Sequence, residues 1–232
     1  MGTPLVIAVD GPAASGKGTL SHRLASLYRL KHLDTGKLYR GVAWQMLESG
    51  ADPKDEAAAV LAAERFDPEA AHRAELRTGP VGRAASHVAV HPGVRRALYD
   101  FQRRFGETMP GAVLDGRDIG TVIFPDAAVK LFITANVEER AKRRFAELSA
   151  QDPSLSLAAV IDELKRRDER DQSREEAPLT PAADAELIDT SKLSPEMVVA
   201  RAARFIDAVL ARRQAEFAGS PSSGNSAGLV QS

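Results

Sequence analysis

The chain has 232 residues, enough for one domain with an elaboration and for a hydrophobic core that needs no disulfide or metal staple. Apolar residues make up 44% and charged residues 27%, which excludes a disordered or fibrous protein; 31 basic against 32 acidic residues leave a net charge of −1, against a strongly basic nucleic-acid binder. The absence of cysteine removes disulfides, thiolate nucleophiles and Cys-ligated zinc together.

Leu5 to Val9 is a short continuous apolar run, as expected of a strand buried on both faces of a parallel sheet. A glycine-rich turn follows, then a helical pattern from about Lys17 with Leu20, Leu24 and Leu27 in register. A second helix is expected after Asp34-Thr35-Gly36, carrying Leu38, Val42 and Met46 on one face. Residues 52–83 are rich in Ala and Glu and weakly patterned, which suggests helices with irregular connections. Pro92 suits the first turn of a helix running to about Thr108, ended by Met109-Pro110-Gly111. Ala112–Leu114 and Ala128–Ile133 read as further buried strands. Asn136 and Glu139 have capping-box spacing, and Ser156 to about Ser173 forms a helix with Leu157, Val160, Ile161 and Leu164 as its apolar stripe. Glu186–Asp189 is a last short strand, and Ser194 caps a final helix with Val198, Ala202, Phe205 and Val209 at helical spacing. Beyond Phe217 the composition of Gly, Ser, Pro and Asn predicts disorder. Strands alternating with helices predict an α/β fold around a parallel sheet. No apolar run approaches membrane-spanning length, the opening run is too short for a signal-peptide core, and His87 and His91 lack a helix on which to converge on a metal, since Pro92 follows. A soluble, cytoplasmic protein is expected.

The most specific motif is Gly11-Pro12-Ala13-Ala14-Ser15-Gly16-Lys17, followed by Gly18-Thr19. It fits G-x-x-x-x-G-K and lies between a predicted strand and a predicted helix, the context a phosphate-binding loop requires. Glycines let backbone N–H groups curl around phosphates, the helix N-terminus adds its positive end, and Lys17 supplies a mobile charge for the β and γ phosphates. Gly18 stands where a magnesium-binding Ser or Thr commonly follows the lysine, and Thr19 carries the hydroxyl one position later. ATP with Mg²⁺ is expected, with no protein ligand of the metal assigned. An Asn-Lys-x-Asp guanine reader is missing, so a small-molecule kinase fits better than a GTPase switch.

Three further segments bear on the acceptor. Asp34 to Arg40 places an arginine near a helix start. Asp115-Gly116-Arg117-Asp118 follows a buried strand, at the carboxyl edge where α/β enzymes bind ligands. Arg167, Asp171 and Arg174, at i, i+4 and i+7, share one helical face. Of 31 basic residues 23 are Arg, a preference that suits bidentate recognition of anions.

Taken together, these segments resemble the bacterial cytidylate kinases: residues 11–19, Leu33 to Arg40, Ala85 to Ala89 with Val94-Arg95, Asp115 to Val122, Arg167 to Arg174, and Ala177-Pro178-Leu179. The match runs in family order over about residues 4–212, and the segments starting at Asp115 and Arg167 are its more specific parts. The resemblance implies a P-loop-type parallel sheet of about five strands flanked by helices. It also implies one kinase domain over 1–217, with a small monophosphate-binding region within 34–110 and a helical lid at about 145–178, while the tail expected to be disordered from its composition, 218–232, has no family counterpart. The implied substrates are ATP and CMP or dCMP, acted on by a monomer with no nucleic-acid or membrane partner. Ser86, Arg95 and Asp118 would read the cytosine edge, Arg167 and Asp171 would hold the ribose, and Arg40, Arg117 and Arg174 would contact phosphates. Lys17, Arg117, Arg167 and Arg174 would act on the transferring group. Two departures stand out: residues 52–83 are shorter than the β-rich insertion of enterobacterial members, and Lys37 replaces a small or apolar residue. A same-fold kinase for UMP, AMP or shikimate, and an ATP-binding regulatory module without turnover, stay open as alternatives.

Overall fold

The structure is a computed structural model that describes residues 3–68, 74–150 and 152–219. Its centre is the apolar run at the start of the chain. Leu5–Asp10 forms β1, which pairs on one side with β3 (Gly111–Gly116) and on the other with β4 (Val129–Thr134). β2 (Lys31–Asp34) lies outside β3, and β5 (Glu186–Asp189) outside β4, giving the order β2-β3-β1-β4-β5. All four pairings are parallel, with Leu5 opposite Gly111 and Ile7 opposite Val129. Four of the strands were expected from the sequence. β2 was not, because Lys31-His32-Leu33-Asp34 has one apolar residue in four; as an edge strand with one neighbour it needs no continuous apolar run.

Alternate residues of β1 serve the two faces of the sheet. Ile7 and Val9, with Val113, Leu131 and Ile133, pack against α1 (Lys17–Tyr28) and α8 (Pro195–Gly219) through Leu20, Leu24, Ala202 and Ile206. Val6 and Ala8, with Ala112 and Leu114, are covered by Ile119, Ile123 and Phe124. Each fully buried Ile or Leu of this kind contributes about 1.5–3 kcal/mol, so the sheet is the rigid platform on which the loops at its carboxyl edge are held.

A second apolar cluster sits beside the sheet. It joins α2 (Thr35–Glu48), α3 (Glu56–Glu64), α4 (Gly79–Val88) and α5 (Pro92–Glu107) through Leu38, Val42, Met46, Ala59, Phe66, Val88, Val94 and Leu98. The described part of the weakly patterned stretch contains α3, a 3₁₀ turn at Ala74–Arg77 and the first part of α4. A third, smaller cluster joins α6 (Val137–Leu148) and α7 (Leu157–Ser173) to Ala13 through Ala141, Val160 and Leu164. Both helices start as read: Asn136 Oδ1 accepts from the Glu139 amide at 2.8 Å and Ser156 Oγ from the Ala159 amide at 3.2 Å.

Three expectations are corrected. Arg174 is not on the helical face with Arg167 and Asp171: α7 ends at Ser173, and Arg174 has extended backbone (φ −59°, ψ 134°). Leu157 is 37% exposed rather than part of the buried stripe, because it is the first residue of its helix. The last helix continues to Gly219, past the predicted start of the tail; residues 220–232 of that tail lie outside the described residues. Among the described residues no helix is long and apolar enough to cross a membrane.

Candidate active site

The turn after β1 has the shape its glycines allow. Gly11 has φ +150°, and a Cβ there would stand 2.0 Å from the carbonyl oxygen of Ile133, so no other residue fits. Gly16 caps α1 in the left-handed region at φ 91°. Carbonyls of the loop are tethered from behind. Arg140 Nη1 donates to Ala13 O at 3.3 Å, Arg143 Nη1 to Ser15 O at 3.3 Å, and Thr190 Oγ1 to the same oxygen at 2.9 Å. Lys17 Nζ reaches back to Pro12 O at 3.2 Å, and the buried Ser15 hydroxyl has no hydrogen-bond partner among the described residues. Burial, with Arg117 nearby, lowers the Lys17 ammonium to about 7, which is the condition of a cation awaiting an anion.

This loop forms one wall of a cavity of about 880 Å³ at the carboxyl edge of the sheet. Ala13 to Thr19 line it, with Arg40 from α2, Arg117 from the turn after β3 and Arg167 from α7. Arg23, Lys37 and Arg144 add further cations, and Asp34, Asp115, Glu147 and Glu163 carboxylates. Burial and the neighbouring Arg117 bring Arg167 down to about 9, and its Nε is buried without an acceptor. Burial also lowers Arg40, whose Nη1 finds only Leu76 O at 3.5 Å. Buried donors without acceptors are costly in water-excluded surroundings, and an anion would complete them.

The other predicted residues do not line this cavity. Ser86, Arg95, Asp118, Asp171 and Arg174 are engaged with protein partners, in a ladder that crosses four segments. Arg170 Nε on α7 donates to Ser86 Oγ on α4 at 3.2 Å. The next residue of α7, Asp171, accepts from Arg117 Nε at 2.7 Å. The residue after Arg117, Asp118, forms an ion pair with Arg95 of α5. Arg174 closes on the same group, its Nη2 3.4 Å from Asp171 Oδ1, although that nitrogen has no hydrogen bond. Burial would raise the Asp171 carboxyl, but Arg117, Arg167 and Arg174 override it and hold the group at about 2. Its positive partner answers in kind: burial alone would lower Arg117, and Asp171 raises it. A buried carboxylate among three arginines is a strongly polarised anion site already filled by the protein's own charge.

Sequence reasoning missed several residues that build the site. Asp10, at the end of β1, accepts from the amides of Ile119 (2.8 Å) and Gly120 (2.7 Å), joining the phosphate loop to the turn that carries Asp118. Burial pushes that carboxyl up to about 7 although both amides favour its ionised form. Arg140, 5% exposed, holds Asp168 of α7 through Nη1 and Nη2 at 3.1 and 2.6 Å while tethering Ala13. Arg170 was read as part of a segment and given no role. A buried arginine on a helix leaves no periodicity signal, since Arg counts as a polar position; the Asp10 immediately before the loop was the one legible clue. Among the described residues no group of three or more His, Cys, Asp or Glu is arranged to hold a metal ion.

A family model described as cytidylate kinase matches residues 7–208. The chain belongs to the cytidylate kinase family. A cytidylate kinase of Brucella suis biovar 1 (strain 1330) is 51% identical over 211 residues, covering 91% of this chain and 96% of that one. A cytidylate kinase of Brucella ovis (strain ATCC 25840 / 63/290 / NCTC 10512) agrees to the same extent. A solved structure of an uncharacterized protein from Eubacterium ventriosum ATCC 27560 superposes with a TM-score of 0.50 over 88% of this chain and 98% of its own, at 13% identity, which bears on the fold alone. Membership of the cytidylate kinase family makes the chain an ATP-dependent nucleoside monophosphate kinase and accounts for the pairing of a phosphate loop with an arginine-rich cavity.

Proposed function

We propose that this cytidylate kinase family member transfers the γ-phosphoryl group of ATP to the phosphate of CMP or dCMP, giving ADP and CDP or dCDP. The observation that carries this reading is the cavity wall in which Arg40, Arg117 and Arg167 join the phosphate loop, with a guanidinium donor on Arg167 that has no hydrogen bond among the described residues. In this reading residues 11–19 and Lys17 hold the ATP phosphates. Arg40, Arg117 and Arg174 take the acceptor phosphate, and Arg167 and Asp171 the ribose. Ser86, Arg95 and Asp118 read the base: a carboxylate accepts from the cytosine amino group, and guanidinium and hydroxyl donate to its ring acceptors. The helices α2 to α5 form the monophosphate-binding region and α6–α7 the lid, within one kinase domain.

No strong base is required. The acceptor phosphate is anionic at neutral pH, and a loose transition state is stabilised by alignment and by cations around the three equatorial oxygens. Lys17, Arg117, Arg167 and Arg174 supply that charge, and a closed lid keeps water from the γ-phosphate. Mg²⁺ would accompany ATP, neutralising phosphate charge; the oxygen-bearing side chains beside Lys17 in the cavity, Asp34 and Asp115, suit the hydrated shell of such an ion. The protein acts as a monomer in the cytoplasm, where its nucleotide substrates occur, with no nucleic-acid partner.

The test is ADP release from ATP and Mg²⁺ with CMP, dCMP, UMP, AMP or no acceptor. Fast turnover with CMP or dCMP, slower turnover with UMP and a negligible rate without acceptor are expected. Turnover with AMP alone would discard the cytosine site, and silence with every acceptor would discard the enzyme.

A further inference from the structure

Ser86 is 4% exposed, and among the described residues its hydroxyl has one partner, the Arg170 Nε at 3.2 Å. The direction of that bond matters. A guanidinium N–H can only donate, so Ser86 Oγ is the acceptor, and one of its two lone pairs is taken by a permanent cation. A hydroxyl polarised in this way is a better donor and a poorer acceptor toward any third group. Its own proton must also point away from Arg170, and no protein acceptor among the described residues receives it. Ser86 is therefore a buried hydroxyl biased to donate, with its proton unspent.

We propose that Arg170 is a positioning residue that sets the polarity of Ser86 and thereby favours cytosine over uracil. The inference rests on the reading above, in which Ser86 faces the acceptor base. Cytosine presents acceptors at O2 and N3 beside a donor at N4, whereas uracil carries a proton on N3 and an acceptor at O4. A donor-biased Ser86 suits a cytosine acceptor and is a poor partner for the uracil N3–H. Asp118 adds the complementary half, because a carboxylate accepts from an amino group and repels a carbonyl oxygen. Arg170 reaches Ser86 from α7 while its neighbour Asp171 holds Arg117, so the polarity is set only when α7 is docked on the acceptor region.

The experiment compares kcat/KM for CMP and for UMP in the wild type, Arg170→Met, Arg170→Lys, Ser86→Ala and the double variant Ser86→Ala/Arg170→Met. The methionine keeps the bulk of the side chain and loses the donor, and is expected to lower the CMP-to-UMP ratio about tenfold. Lysine restores a cationic donor and recovers most of the ratio. Ser86→Ala lowers the ratio by a similar factor, and adding Arg170→Met to it causes no further fall. A merely structural arginine would depress both substrates alike and leave the ratio at the wild-type value, which overturns the proposal; so does a ratio that falls equally with and without Ser86. If the wild type itself does not prefer CMP to UMP, the assignment of the base site has failed, and the inference with it.

Discussion

Replacing Asp171 by Asn tests whether the arginine cluster is held in place by one carboxylate. Asp171 is 6% exposed, accepts from Arg117 Nε at 2.7 Å and lies 3.4 Å from Arg174 Nη2, and its carboxyl is held at about 2 against an ordinary value of 3.8. At about 1.4 kcal/mol per pKa unit, that displacement corresponds to about 2–3 kcal/mol of folding stability at neutral pH. The folded-state value is depressed, so the contribution is fully present above the unfolded value near 4 and is lost as pH falls toward 2. Asn retains the shape and one acceptor but not the charge, leaving Arg117, Arg167 and Arg174 to repel one another. Urea unfolding of the two proteins at pH 7, 5 and 3 is expected to give a gap of about 2–3 kcal/mol at the two higher values, narrowing to about half at pH 3. Thermal midpoints at pH 7 should differ by about 5–10 °C for a chain of this size. A gap below about 1 kcal/mol at pH 7, or one that does not change between pH 5 and pH 3, would refute the electrostatic account.

Arg174→Ala removes a guanidinium whose Nη2 has no hydrogen bond in the structure, and is expected to cut kcat by about a hundredfold or more while changing the KM for CMP only a few-fold; equal losses in both would mark a binding residue only. Asp10→Asn places an amide N–H₂ against the amides of Ile119 or Gly120, each of which now has its own carboxylate oxygen, and should cost about 1–3 kcal/mol in unfolding experiments. Arg140→Met strands the Asp168 carboxylate and frees Ala13 O, so stability should fall by about 3–5 kcal/mol and the KM for ATP should rise; in a double-mutant cycle with Asp168→Asn the losses should be far from additive.

How far the sequence reveals this molecule depends on which physical signal each part leaves. Strands buried on both faces are apolar runs, continuous in β1 from Leu5 to Val9 and broken in β4 by Lys130, and are readable at once, whereas the edge strand β2 has Leu33 as its one apolar residue and is invisible to that test. Helix starts at Asn136 and Ser156 were legible because a cap is a local interaction between a side chain and an amide three residues on. The phosphate loop was legible for the same reason, as glycine positions follow from local backbone geometry. The residues proposed for the acceptor and their partners lie 84 positions apart in the case of Ser86 and Arg170 and 54 in the case of Arg117 and Asp171, and no local pattern links them. Resemblance to a family proposes Ser86, Arg117 and Asp171. What neither route supplied was the partner of each residue, and so Arg140, Asp10 and Arg170, whose roles consist of partnership alone, were passed over.

The partners also bear on how binding energy is used. Arg117 and Arg95 already hold a carboxylate each, so a nucleotide that engages them exchanges one anion for another, and the measured affinity reports only the difference. Among the described residues Arg167 Nε has no hydrogen bond to give up, and Arg174 Nη2 has only its 3.4 Å approach to Asp171. Charge placed against those two atoms is stabilised with less compensating loss, and it is the transferring phosphoryl group, rather than the resting substrates, that brings the most oxygen charge to be met. With the roles proposed above, binding arginines paired in advance and remaining donors without a hydrogen bond would direct interaction energy toward the transition state and away from tight ground-state binding, which is the division a kinase needs to turn over quickly.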